Sequence, residues 1–351
     1  MKKAPRIFLF LFFALLAVGS FTWGVVQLGH KESGYQTIET SDAHGDVLFR
    51  SGLTLRYWAE GSSAEIRDLT ERVSRAYSDS LYENFRLLDP DQTYEGVTNL
   101  ASLNSAPDQS LPIPDRLAVV LSDALEKTAA DTGYSALSGP LYREWRNLLY
   151  LEDPEPFDPL NNPEEAGRLR SLTSALRIPD AASLMLSEAD GQTAACLQVS
   201  PELTALMDSL ELTAPVLDLA LLHDAYLMDL VAEDLLAAGY DQGVLYSRSG
   251  LTRCFRPGET LSVVPDDTQP EKVLSAPAPA SAVRFSASEK WDQGYGAYAV
   301  GETLRHAWID VRTGEPAASV AQTALIAPGG SALTVSWQLL QTLFAVPSSS
   351  P

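Results

Sequence analysis

The chain has 351 residues, 45% of them hydrophobic and 20% charged, an ordinary globular composition long enough to bury a sizeable core. Its formal net charge of −21 repels polyphosphates and supplies no basic stripe to release counterions, so a nucleic-acid partner is not expected. A phosphate-bearing ligand would have to be held by local donors or a metal ion.

Lys2, Lys3 and Arg6 precede "IFLFLFFALLAVGSFTWGVV", residues 7–26, an uncharged stretch of the length that crosses a bilayer. A cleaved signal peptide has a shorter apolar region and a small-residue exit, whereas Trp23 stands near the far end here, so an uncleaved anchor is the favoured reading. The basic flank keeps the N-terminus in the cytoplasm and puts the rest outside, a single-pass protein of the cytoplasmic membrane. Residues 1–29 are then the tip and anchor, and 35–347 one extracytoplasmic domain. Cys196 and Cys254 are the only cysteines. That location permits a disulfide, but two unpaired buried thiols satisfy the sequence as well.

In "DVLFRSGLTLRYWA", residues 46–59, Leu53, Leu55 and Tyr57 alternate with Thr54 and Arg56, as on a strand. Ile66, Leu69, Val73 and Tyr77 then recur at helical spacing behind the candidate caps Ser62 and Ser63, with Glu65 in the first turn. Further helices are expected from Asp115 towards Gly133 and over "NPEEAGRLRSLTSALR", and "AACLQVS" reads as a strand whose end caps "SPELTALMDSL". Residues 214–250 read as a strand, a turn, a long helix closing near Gly239, and a strand around Val244 to Tyr246. The Pro- and Ala-rich run at about 265–282 reads as a loop, followed by strands at "RHAWID" and "VAQTALIA" and a closing helix at "SWQLLQTLFAV". The fold class is mixed α/β.

Five of these stretches, in order, resemble motifs of the FAD:protein FMN transferases, the ApbE flavin-transferase family. "VTNLASLNSA" is similar to a Ser-x-(Leu/Ile)-x-x-Leu-Asn segment and keeps Asn104. "YSALSGPLYREW" resembles Phe-Asp-x-x-x-Gly-Pro-Leu-x-x-x-Trp, with Tyr134 and Ser135 in place of Phe-Asp. "LDLALLHDAYLMD" resembles Leu-Asp-Leu-Gly-Gly-Ile-Ala-Lys-Gly-Tyr-Ala-Val-Asp and keeps Asp218, Tyr226 and Asp229. "RHAWIDVRTGEPA" resembles His-His-Ile-Ile-Asp-Pro-Arg-Thr-Gly, and the closing helix resembles Ala-Asp-Ala-Leu-Ser-Thr-Ala-Leu-Phe-Val. The resemblance implies two α/β halves around a central cleft, FAD and Mg²⁺ as cofactors, and FMN transfer to a Thr of a membrane redox protein.

Mapped residue by residue, it implies FAD contacts at Asn104, Tyr134, Ser135, Asp218, Asp224 and Thr313. It implies metal ligation by the His223 carbonyl, Gln338 and Thr342. His306 and Asp310 are the catalytic candidates. Phosphoryl transfer needs developing oxyanion charge neutralised, usually by a hard cation on carboxylates. Here the family's metal-binding Asp is Gln338, and the Lys that offsets phosphate charge is Asp224. His223 and Asp224 are neighbours on a helix and are not expected to face each other as base and orienter. The Arg-Thr-Gly turn is explained by strand reversal alone. The leading expectation is an anchored homologue, degenerate at the metal and phosphate positions, that acts as a binding or accessory protein. The alternatives are an active Mg²⁺-dependent FAD:protein FMN transferase and an unrelated extracytoplasmic binding module.

Overall fold

A computed structural model describes residues 32–40, 50–189, 191–265, 269–286, 297–317 and 322–345. The apolar segment 7–26, and with it the anchor, lies outside the described residues. Among those described, no helix is long and apolar enough to cross a membrane.

Strand β1 (Gly34–Ile38) is followed by β2 (Leu53–Ala59), whose Leu53, Leu55, Tyr57 and Ala59 face the core while Thr54 and Arg56 face solvent. Helix α1 (Ser63–Leu88) starts on a capping box: Ser62 Oγ accepts from the Glu65 amide, and the Glu65 carboxylate accepts from the Ser62 amide. A short α2 (Leu100–Ser105), β3 (Ser110–Pro112), α3 (Asp115–Ala129), α4 (Gly139–Leu149) and α5 (Pro163–Leu176) come next. β4 (Ala182–Ala189) and β5 (Gln192–Val199) pair as a hairpin, and Ser200 caps α6 (Pro201–Ser209) by accepting from the Leu203 amide.

The strand expected at the start of 214–250 does not form. Asn104 supplies the hydrogen bonds a sheet neighbour would have given: its side-chain oxygen accepts from the Val216 and Leu217 amides (3.1 and 2.9 Å), and its amide donates to the Leu217 carbonyl (2.9 Å). Helix α7 (His223–Ala237) follows, with Ala225, Leu227, Met228, Val231 and Ala232 all buried. These apolar residues bury most of the helix, and α7 packs on α1.

β6 (Gly243–Ser247), β7 (Leu251–Cys254), β8 (Thr260–Val263), β9 (Leu274–Pro277) and β10 (Ala280–Ser286) come next. The expected loop at 265–282 thus contains β9 and the start of β10. Ala276 and Ala280 are buried while Pro277 and Pro279 are exposed, so small residues alternate there with a strand's period. β11 (Tyr298–Val300), β12 (Thr303–Arg305), β13 (Ile309–Asp310), β14 (Glu315–Pro316), β15 (Gln322–Pro328) and α8 (Ala332–Phe344) complete the chain.

The main sheet has the order β1-β2-β6-β7-β10-β15, and a second sheet β3-β5-β4; every pairing in both is antiparallel. The fold is mixed α/β, with α7 and α8 packed together against the main sheet. A large apolar cluster extends from Ile38 to Phe344, and a smaller one gathers Leu141, Tyr142, Trp145, Leu148, Leu169 and Ile309. Cys196 on β5 and Cys254 on β7 are both free thiols, so the disulfide does not form, but only Cys254 is buried and Cys196 is half-buried.

Candidate functional site

A cleft of about 360 Å³ opens where the C-terminal end of α1, the face of α4 and the first turn of α7 converge. Phe85 comes from the large apolar cluster, and Tyr142 and Trp145 from the smaller. α4 can present its aromatics there because Gly139 opens it: a Cβ at that position would lie 2.1 Å from the Pro215 carbonyl oxygen. Trp145 is fixed by donating from Nε1 to the Gly314 carbonyl at 2.8 Å, with the Arg305 guanidinium 5.1 Å from its ring centre. Trp308 and Tyr150 extend the aromatic lining.

The polar face comes from residues 218–224 and the β6–β7 turn. Asp218 is 2% exposed; its Oδ1 accepts from the Ala220 amide at 2.7 Å, while its Oδ2 has no hydrogen bond and lies 3.6 Å from Arg146. Ala220 has a positive φ of 40°, where an L residue is strained, and it occupies a position at which the resembled motif has Gly. His223 and Asp224 do face each other, contrary to the helix-neighbour expectation: Nδ1 and Oδ1 are 3.3 Å apart in the first turn of α7. The preceding turn of a continuous helix is replaced there by a 3₁₀ turn at Ala220–Leu222, so neither side chain lies against an α-helical neighbour on that side. Asp224 Oδ2 also accepts from Ser249 Oγ at 2.7 Å.

Of the residues singled out in the sequence, Asp218, His223 and Asp224 line the cleft. The others support the surrounding fold. Asn104 clamps residues 216–217, and Tyr134 is buried, donating to the Leu219 carbonyl at 3.3 Å, with burial pushing its phenol pKa up. Ser135 Oγ accepts from the Leu137 amide at 3.1 Å, and Thr313 Oγ1 donates to the Asp310 carbonyl at 3.2 Å. Neither catalytic candidate lines the cleft. Asp310 accepts from the backbone and guanidinium of Arg312. His306 accepts at Nδ1 from the Trp308 amide (3.2 Å) and donates from Nε2 to the Ala317 carbonyl (2.9 Å). Burial lowers its pKa from 6.5 to about 4, so it is a neutral structural histidine.

Sequence reasoning missed Arg50, Asp89, Arg146 and Ser249. Arg50 pairs with Asp89 at 3.1 Å across 39 positions, a contact no local pattern announces.

No protein-family model matches the chain, and no curated protein does. Solved structures do. The ApbE protein of Thermotoga maritima superposes with a TM-score of 0.56 over 91% of this chain and 88% of its own, at 12% identity. The flavin transferase ApbE of Vibrio cholerae superposes with a TM-score of 0.51 over 89% of this chain and 87% of its own, at 15% identity. The chain has the ApbE flavin-transferase fold.

Within that ApbE-like fold, the positions that the sequence resemblance assigns to Mg²⁺ do not fit the ion. Gln338 and Thr342 are both exposed, and the Thr342 hydroxyl donates to the Gln338 carbonyl at 2.8 Å. The His223 carbonyl belongs to the first turn of α7, where helix geometry directs it at the amide four residues on. Mg²⁺ demands about six oxygens in octahedral array and is usually held through one or two carboxylates. None belongs to this set, and among the described residues no group of three His, Cys, Asp or Glu is placed to hold a metal. For FAD the fit divides: the aromatic walls suit a flat ring system, whereas the aspartates around Asp224 oppose a pyrophosphate.

Proposed function

We propose that this protein is a membrane-anchored, extracytoplasmic homologue of the ApbE flavin transferases that binds a ligand in its cleft and works as a binding or accessory protein without transferring FMN. The observation that carries the reading is the donor set on α8. A neutral amide and a hydroxyl turned back onto its own helix stand where the resembled motif has a carboxylate and a free Thr. Without the dication, no metal neutralises charge on a pyrophosphate under attack. Asp224 adds to this, since it puts an anion where the motif has Lys. The basic-flanked apolar segment 7–26 supports the anchor, and a flavin-acceptor or other membrane redox protein is the expected partner.

The test is co-expression with an acceptor domain carrying the target Thr, read as in-gel flavin fluorescence beside an active ApbE transferase. The reading expects fluorescence with the control enzyme only. A fluorescent acceptor produced by this chain would replace it with an active Mg²⁺-dependent FAD:protein FMN transferase.

A further inference from the structure

We infer that the cleft selects a planar ligand bearing a cationic or hydrogen-bond-donating edge, such as an amidinium or amino-heterocycle, over a phosphorylated one. The inference rests on reading the cleft as ligand-binding, and it specifies the ligand's charge. Four aspartates line the cleft against two arginines. Asp89 is matched by Arg50, and Asp91 by Arg143 from outside the lining. Of the other two, Asp218 meets Arg146 only at ion-pair distance without a hydrogen bond, and Asp224 meets no arginine or lysine among the described residues. Asp224 is bonded to Ser249 and His223, and among the described residues no Arg or Lys lies within ion-pair distance of it. Asp218 is 2% exposed with Oδ2 unbonded, and among the described residues the one cation at ion-pair distance is Arg146, at 3.6 Å.

A buried carboxylate oxygen without a hydrogen bond is costly unless a donor reaches it. An excess of one sign of charge among low-dielectric aromatic walls concentrates the opposite charge. Phe85, Trp145 and Trp308 supply such walls, and a flat cation is also favoured against aromatic faces. A phosphate in the same space would face Asp218 and Asp224 with both arginines already engaged.

Three flat tricyclic probes separate these possibilities: proflavine, a diaminoacridinium cation; riboflavin, which is neutral; and FMN, riboflavin with a phosphate. Each is titrated by fluorescence into the full chain at one ionic strength. The net charge of −21 attracts any cation loosely, so the preference is read at one-to-one stoichiometry and against two variants. Asp224→Asn keeps the acceptor for Ser249, and Asp218→Asn keeps the acceptor for the Ala220 amide. Thermal melts check that both variants fold.

The inference expects proflavine to bind at least about tenfold more tightly than FMN, with riboflavin between, and each variant to reduce that preference several-fold. FMN binding as tightly as proflavine, or a preference that survives both substitutions, overturns the inference and leaves the cleft a ligand site of other specificity. Binding of none of the three overturns both the inference and the reading of the cleft as ligand-binding.

Discussion

Protonating His306 means forcing a second N–H against the Trp308 amide that its Nδ1 now accepts from, in a site with almost no water. Its folded pKa of about 4 lies below the unfolded value of 6.5, so the unfolded chain binds more protons in that interval. Stability therefore falls as pH drops through about 6.5 towards 4, by roughly 3 kcal/mol in total from this one residue. His306→Gln retains a donor for the Ala317 carbonyl without a titrating group, and melting temperatures measured across that interval should be flatter for the variant than for the parent. Ala220 offers a test of the opposite sign. Its positive φ is strained for Ala and free for Gly, so Ala220→Gly should raise stability by roughly 0.5–1 kcal/mol in denaturant titrations. An unchanged or lower midpoint would mean that the strain is relieved by other means.

At the scale of elements, α8 depends on Asp229 of α7. Its two carboxylate oxygens accept from the Ala332 and Leu333 amides at 2.8 and 2.9 Å, and it pairs with Arg253 of β7. Asp229→Ala would leave the Ala332 and Leu333 amides without these acceptors and a mostly buried Arg253 without this partner, while Ser331 still caps α8 by accepting from the Thr334 amide, a loss of about 2–4 kcal/mol in urea unfolding. The sequence preserved this Asp within the motif but gave no hint that it works as a remote helix cap. Elements whose signal is local were readable: the Ser62–Glu65 capping box, the alternation of β2, the apolar run of α7. Elements defined by distant partners were not. Residues 214–219 looked like a strand until Asn104 took up the Val216 and Leu217 amides, and β9 with the start of β10 looked like a linker because Ala and Pro carry little β-propensity. The His223–Asp224 contact was hidden for a related reason, since the helix rule that separates neighbours weakens where a helix begins.

For the molecule as a whole, the fold and the reaction are separate questions. The superposition on two ApbE structures covers about nine-tenths of this chain at 12% and 15% identity, which fixes the architecture and leaves the reaction open. The architecture was legible from five ordered motifs because Gly139, Asp218 and the Arg-Thr-Gly turn hold backbone together whatever the ligand. Gly314 illustrates this: a Cβ there would meet Thr173 Oγ1 at 2.0 Å, so its persistence follows from packing against α5. At the substituted positions, Asp224 and Gln338, the charge of the resembled motif is reversed and lost respectively. The cleft residues Arg50, Asp89 and Ser249 come from three separate parts of the chain, and only the folded protein assembles them.

The most direct test of the account is calorimetric titration of FAD into the full chain with and without Mg²⁺. The account predicts no gain in affinity on adding the ion, because Gln338, Thr342 and the His223 carbonyl do not make a dication site. Micromolar FAD binding that appears only with Mg²⁺ would contradict it and show that the charge lost at Gln338 is replaced elsewhere in the protein.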